Sequence, residues 1–325
     1  MEPNPEKAGG RREDVFNFVR GFCMGAADTV PGVSGGTVAL ILGHYQRLVS
    51  AISHVDSELF TLLKHRQITS AAKHVDARFM LALLGGVFVG VITLSGLMHW
   101  LLENRMSETL AVFLGLMIAS IFIVASKIER WSKRTVSSFV VGLVVAFGIA
   151  LIPIRHAELH LPYLFVASSL AICAMILPGI SGAFVLLIFG VYHGITGLIK
   201  EFAKLNITFD GFIKLMTFGL GCLTGLLLFS KLLRHLLREH HDLTMACLVG
   251  LMTGSLVKLW PLQRATAETA DEDFKERTFE LVSPSQWDGS VLPMFFLSIA
   301  AVGVVVIAER MGSRLAMTEK HHDGV

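Results

Sequence analysis

Apolar residues run along this chain in long blocks rather than in the one-sided or alternating patterns of a soluble domain. Six blocks, 79–102, 108–126, 136–153, 212–233, 243–260 and 291–309, each approach the length a helix needs to cross the hydrocarbon of a bilayer, ~20 residues. Two further apolar regions, 15–52 and 162–199, run for 38 residues apiece. Each is interrupted by a proline–glycine cluster, Pro31-Gly-Val-Ser-Gly-Gly36 in one and Pro178-Gly-Ile-Ser-Gly182 in the other. Proline removes a helix donor and clashes with the preceding turn, while glycine admits backbone geometries closed to other residues. Each region therefore reads as a hairpin of two helices with its tip inside the membrane. Whether such a hairpin re-enters or crosses twice, the chain leaves on the side it entered.

The two hairpins are copies. Residues 24–52 and 171–199 align without a gap at an offset of 147, pairing Pro31-Gly32 with Pro178-Gly179, Ser34-Gly35 with Ser181-Gly182, Gly43 with Gly190 and Tyr45 with Tyr192. Downstream the register continues at an offset of 135, pairing Gly86 with Gly221, Gly90 with Gly225, Gly115 with Gly250 and Ser120 with Ser255. Two gapless blocks in matching order define an internal duplication. One unit is a hairpin followed by three spans, an odd number of crossings, so the second copy enters the membrane from the opposite face. The expected fold is an all-α integral membrane protein, an inverted repeat in which each half is a broken or re-entrant helical hairpin plus three transmembrane helices. Its parts are a cytoplasmic tail (1–14), repeat 1 (15–153), repeat 2 (162–309) and a second cytoplasmic tail (310–325).

Charge supports that topology. Charged residues make up 17% of the chain, against about 25% in soluble proteins, and the net charge of +2 offers no bulk attraction for nucleic acid. With the deduced crossings, one face carries nineteen Lys and Arg and the other nine, together the 28 of the chain. The basic face is expected to be cytoplasmic, with both termini on it. The longest loop of the basic-poor face, 261–290, is acidic. No segment has the pattern of a removable signal peptide. The four cysteines (Cys23, Cys173, Cys222, Cys247) are far apart in apolar stretches and read as buried filler, with neither a disulfide framework nor a metal site indicated. Thirteen histidines show no metal-ligand spacing, and no cofactor motif is present.

The chemistry is expected at the hairpin tips. Non-helical backbone in hydrocarbon leaves unsatisfied polar groups unless it is buried in protein or lines a wet cavity. After each tip a helix restarts, at Ser34-Gly35-Gly36-Thr37 or at Ser181-Gly182, and its first turn offers free N–H groups and the positive end of the helix dipole. Two such ends meeting from opposite faces near the midplane make an anion site. Its candidates are Gly32, Ser34, Gly35, Gly36, Thr37, Gly179, Ser181 and Gly182. The simpler alternative is that PGxSG turns a hairpin and the serine caps the next helix. Asp28, deep in an apolar stretch with Met175 in its place in the second copy, is either a coupling site for protons or sodium or a cap for the tip. Arg47, Arg78 and Arg155, at the interfaces, are candidates to receive an anionic headgroup. The small-residue pairs Gly86/Gly90 and Gly221/Gly225 offer packing faces within the chain or in a homo-oligomer.

The run Gly25-Ala-Ala-Asp-Thr-Val-Pro-Gly-Val-Ser-Gly-Gly-Thr37, with Leu177-Pro-Gly-Ile-Ser-Gly182, closely resembles the bacterial polyprenyl-phosphate transporters, long described as a membrane domain of unknown function. The resemblance covers roughly 15–310. It implies a translocase of the cytoplasmic membrane that returns undecaprenyl phosphate, a carrier for cell-wall biogenesis, from the outer to the inner leaflet. The first motif matches at Asp28, Pro31, Gly32, Ser34, Gly35, Gly36 and Thr37. The second matches at Pro178, Gly179, Ser181 and Gly182, but Ala183 and Phe184 stand where the first copy has Gly36 and Thr37. Two other readings remain open at this point. A small-anion channel or exchanger would use the same helix ends, and an intramembrane serine hydrolase would need a histidine base, His44, His99 or His193, within reach of Ser34 or Ser181.

Overall fold

An apolar stretch in a bilayer can satisfy its backbone as a helix, and the computed structural model has helices in all eight apolar regions. It describes residues 10–29, 34–152, 157–206, 208–266 and 279–322. The first region contains α1 (Arg11–Asp28), α2 (Gly35–Ile41) and α3 (Tyr45–Ser53). Two short helices, α4 (Ser57–Lys64) and α5 (Ile68–His74), lead to α6 (Ala77–Asn104), α7 (Met106–Ala125) and α8 (Lys133–Ala150). The second half repeats the order. It comprises α9 (Leu161–Ile176), α10 (Gly182–Ile188), α11 (Tyr192–Ala203), α12 (Phe209–Glu239), α13 (His241–Ser255) and α14 (Leu292–His322). Among the described residues five helices are long and apolar enough to cross a membrane, namely α6, α7, α8, α12 and α13 with its 3-10 extension to Leu259; the bent α10–α11 pair makes a sixth candidate. The chain is a multi-pass, all-α membrane protein.

The molecular surface has the polarity expected of such a protein. Phe88 on α6, Val144 on α8 and Phe296 on α14 are 67%, 59% and 63% exposed, within continuous apolar faces that water would not tolerate at this extent. The interior is held by close backbone approach at small residues. Helix α1 packs on α6, α9 on α12, α8 on α13, and α14 on α7. A Cβ on Gly86 would lie 2.0 Å from the Phe18 carbonyl oxygen, and one on Gly221 would lie 2.0 Å from Ser168 Oγ. Likewise a Cβ on Gly115 would lie 2.2 Å from the Ser298 carbonyl oxygen, and one on Gly250 would lie 2.1 Å from that of Phe139. The glycine pairs thus serve packing inside the chain.

Three features depart from the sequence reading. Each hairpin, read from sequence as two helices, contains three. The helix leaving the tip lasts seven residues, then breaks at Gly43 (φ +75°) or Gly190 (φ +71°), backbone values that L side chains rarely adopt. At the second of these breaks the chain bends by 113°. The acidic loop contains a short antiparallel ribbon, β1 (Gln263–Ala265) with β2 (Phe279–Leu281), where the sequence suggests only loop. Cys23, read as buried filler, is exposed on α1, and the other three cysteines are partly buried.

Candidate functional site

Seven residues at about 1.5 Å each give α2 and α10 a length of about 10 Å, so the chain that leaves each tip travels only part of a membrane thickness before turning. Pro31 and Gly32 lie outside the described residues, but the start of α2 is defined by its partners. Ser34 is its N-cap, 2% exposed, and its Oγ accepts the Gly36 N–H at 3.2 Å. The Gly35 N–H goes to Asp28 Oδ1 at 2.6 Å. The first turn of α2 is thus already occupied by a carboxylate and a hydroxyl, and Asp28 stands at the dipole's positive end where an anion gains most.

The second tip meets the first directly. Thr37 Oγ1 accepts the N–H of Gly179 at 3.0 Å. Gly179 has φ +86°, so glycine is required there for conformation as well as for space. Ser34 Oγ lies 3.3 Å from the Met175 carbonyl oxygen and 3.4 Å from that of Leu177, and Tyr45 donates to the Ile176 carbonyl at 3.1 Å. The last carbonyls of α9, orphaned by the tip, are in this way satisfied by hydroxyls from the other half. Contact is close: a Cβ on Gly36 would lie 2.6 Å from the Ile176 oxygen. The start of α2, at Ser34, Gly36 and Thr37, therefore packs directly on residues 175–179 of the second tip.

The two tips are not equivalent. Ser181 precedes α10 without capping it through its side chain, and Gly182 packs against the Ala171 carbonyl. So Ser34, Thr37 and Gly179 come together, Asp28 and Gly35 adjoin them, and Ser181 with Gly182 opens a separate, uncapped helix start. In place of the first tip's Thr37, Phe184 presents its ring to Lys258, whose Nζ lies 4.2 Å from the ring centroid. Sequence reasoning missed Lys258, which looks like one more cation at the end of a span; the signal available was the Phe184 departure from the repeated motif.

Two of the arginines expected to receive a headgroup, Arg47 and Arg78, are paired with carboxylates. Arg47 pairs with Glu13 at 2.7 Å and Asp76 at 2.6 Å, with its guanidinium over the Phe79 ring. Arg78 holds Asp14 through both carboxylate oxygens, at 2.8 and 2.7 Å. That hydrogen bond to Arg78 keeps the exposed Asp14 carboxyl below its usual range. These pairs tie the start of α1 to α3 and α6. Arg155 lies outside the described residues. Of the candidate histidines, His44 contacts Met24 Sδ through Nε2 at 3.2 Å, His99 faces Glu103, and His193 stacks edge-on against Tyr192. Among the described residues no cluster of His, Cys, Asp and Glu has the arrangement of a metal site.

Comparison with known proteins identifies a family for the sequence. The sequence model of the undecaprenyl phosphate translocase-like family matches residues 24–276. A polyprenyl-phosphate transporter of Vibrio cholerae is 34% identical over 319 residues, covering 94% of this chain and all of that protein. A polyprenyl-phosphate transporter of Staphylococcus aureus is 33% identical over 262 residues, 76% of this chain and 86% of that one. No solved structure matches.

Proposed function

The chain belongs to the undecaprenyl phosphate translocase-like family, and we propose that it carries undecaprenyl phosphate from the outer to the inner leaflet of the bacterial cytoplasmic membrane, with the phosphate held between its two hairpin tips. The observation that carries this reading is the meeting of Thr37 and Ser34 with Gly179 and the Met175 and Leu177 carbonyls, across more than 140 residues of sequence. Two backbone breaks in an apolar environment leave polar groups whose desolvation costs several kcal/mol each, of order ~2–7. Bringing polar groups of both halves to one place supplies donors and acceptors that a lipid headgroup would use once the two halves part. The isoprenoid chain stays in lipid while the phosphate passes the tips.

We read the architecture as an inverted repeat of re-entrant hairpins with both termini cytoplasmic. Its support is the odd number of crossings per unit, the nineteen-to-nine distribution of basic residues, and the equivalent packing of Gly86 and Gly221 against the preceding hairpins. Alternating access follows if one repeat rocks on the other and parts the tips. Asp28 is the coupling group. Its carboxylate holds the Gly35 N–H that a phosphate oxygen would use, so uptake of a proton, or of a sodium ion on the carboxylate, releases that donor as the phosphate arrives.

The test is binding of undecaprenyl phosphate to the purified protein, wild type against Ser34→Ala/Ser181→Ala, with inorganic phosphate as competitor. Tight lipid binding that the double variant loses and free phosphate barely displaces is the expected result. Binding of small anions with no lipid binding would replace the transporter reading with a channel or exchanger.

A further inference from the structure

A phosphomonoester moving through a low-dielectric groove needs a cation whose charge is not already neutralised. Two of the basic side chains near the hairpins are neutralised by carboxylates, and others are held by neutral acceptors. Arg47 and Arg78 are paired with carboxylates, Lys127 donates to the Leu40 carbonyl, and Arg20 donates to Asn17 and, at 3.5 Å, to the Leu42 carbonyl. Arg20 shares an aromatic contact, over Phe16, but belongs to the first hairpin; Lys258 is set apart by its place at the second tip. It is half-buried, no carboxylate pairs with it among the described residues, and its ammonium rests on the face of Phe184. An aromatic face orients an ammonium without cancelling its charge, and leaves N–H donors pointing away from the ring.

The surroundings hold that ammonium beside the second tip. A Cβ on Gly179 would lie 2.9 Å from Met252 Cα and 3.0 Å from Ser255 Oγ, so the end of α13 forms the wall against which the tip turns. Lys258 follows Ser255 in the 3-10 turn Leu256–Leu259. Gln263 Nε2 clamps that turn by donating to the Lys258 and Trp260 carbonyls at 3.1 and 2.8 Å, and Trp260 Nε1 in turn donates to Val282 at 2.9 Å. The β1–β2 ribbon thereby fixes the backbone that presents Lys258. On the other side the platform is Phe184, at the position where the first tip carries Thr37, so the departure of the second motif from the first has a specific consequence: one tip offers a hydroxyl and the other a mounted cation.

We propose that Lys258, held on the Phe184 ring, is the phosphate-receiving cation of the second tip, and that its ligand is a phosphomonoester anion. The proposal rests on the transport reading for the source of that anion, a lipid headgroup; free phosphate has the same chemistry and is separated by experiment. Because Lys258 lies at the end of α13 on the basic-poor side, it would meet the headgroup before the tips part.

The experiment measures binding of undecaprenyl phosphate, the uncharged polyprenol and inorganic phosphate to purified full-length protein in lipid nanodiscs. Wild type is compared with Lys258→Gln, Lys258→Arg and Phe184→Leu. The expected result is that Lys258→Gln weakens binding of the phosphorylated lipid by about tenfold or more, the range for loss of a hydrogen bond to a charged group. Polyprenol binding stays unchanged, which also reports that the variant is folded. Lys258→Arg recovers most of the loss, and Phe184→Leu produces a smaller loss of the same selectivity. Wild-type affinity in Lys258→Gln, with the Ser34→Ala/Ser181→Ala variant still defective, would overturn the role of Lys258 and leave the tips standing. Equal loss for inorganic phosphate would keep the cation and overturn the lipid source. No preference of the wild type for the phosphorylated lipid over polyprenol would overturn both readings.

Discussion

Replacing Asp28 with asparagine separates charge from hydrogen bonding at the first tip. The carboxylate accepts the Gly35 N–H at 2.6 Å, and the next N–H along, that of Gly36, is held by Ser34 Oγ at 3.2 Å. Adjacent residues are about 3.8 Å apart at Cα, so a phosphate oxygen that takes over this turn stands about 4 Å from an ionised Asp28. Two like charges at about 4 Å and an effective dielectric of about 20 repel by about 4 kcal/mol, which is about a thousandfold in affinity. On the proposed transport, an ionised Asp28 and a bound phosphate would disfavour one another, and lipid binding would be linked to binding of a proton. The sign follows: protonated Asp28 favours the lipid, so affinity falls as pH rises through the Asp28 titration, up to tenfold per pH unit until about three powers of ten are used. The substituted asparagine can still accept the Gly35 N–H through its amide oxygen but carries no charge. The variant is expected to bind the lipid at the tight, low-pH level throughout and to retain only the pH dependence of the phosphate itself, whose second ionisation lies near about pH 6. The assay is lipid binding across pH, with transport in proteoliposomes under an imposed proton or sodium gradient. In that second arm the variant no longer responds to the gradient. An identical pH slope and an identical response in wild type and Asp28→Asn would refute the reasoning and reduce Asp28 to a helix cap.

Three further outcomes are expected. Gly86→Ala places a methyl 2.0 Å from the Phe18 carbonyl, and overpacking of this kind destabilises by about 1–3 kcal/mol; Gly96→Ala, whose Cβ would meet nothing within 4 Å, is neutral or stabilising, and thermal unfolding in detergent separates the two. Asp14 accepts two hydrogen bonds from Arg78, which hold its carboxyl below the usual value. A lowered carboxyl contributes stability above its unfolded value near about 4 and loses it as pH falls through the folded one. Amide protection in the first turns of α1, corrected for intrinsic exchange, therefore drops on acidification in wild type and is lower from the outset, with a weaker pH response, in Asp14→Ala. Single cysteines introduced at Ser57 and Ser285, in a background freed of the native four, should react with an impermeant thiol reagent from the cytoplasmic and outer sides respectively; labelling of both from one side would remove the inverted topology.

The features legible in the sequence are those encoded within a few residues or by repetition. Long apolar blocks and the PGxSG interruptions predict the span-length helices and the tips, because backbone satisfaction and proline geometry are local. The additional break after each tip is written in the paired Gly43 and Gly190, yet a glycine in an apolar run resembles a packing residue until its positive φ is seen. Partner choice is the part that local reading does not reach. Arg47 and Arg78 look like interfacial cations free for a headgroup, while their carboxylates, Glu13, Asp76 and Asp14, lie 29 to 64 positions away. Sequence alone leaves Asp28 between capping and coupling, and its bond to Gly35 makes the two compatible: a carboxylate that caps a helix start is placed to yield that start to another anion. The same logic explains the asymmetry of the duplicated motif. Once the copies of a repeat share one site, each can hold what the other lacks, and a titratable carboxylate at one tip with an aromatic-mounted lysine beside the other gives a single anion two different neighbours. On the proposed transport, a headgroup leaving Lys258 for the first tip would move toward Asp28 only in its protonated form, which would make transport sensitive to the proton gradient without any further residue.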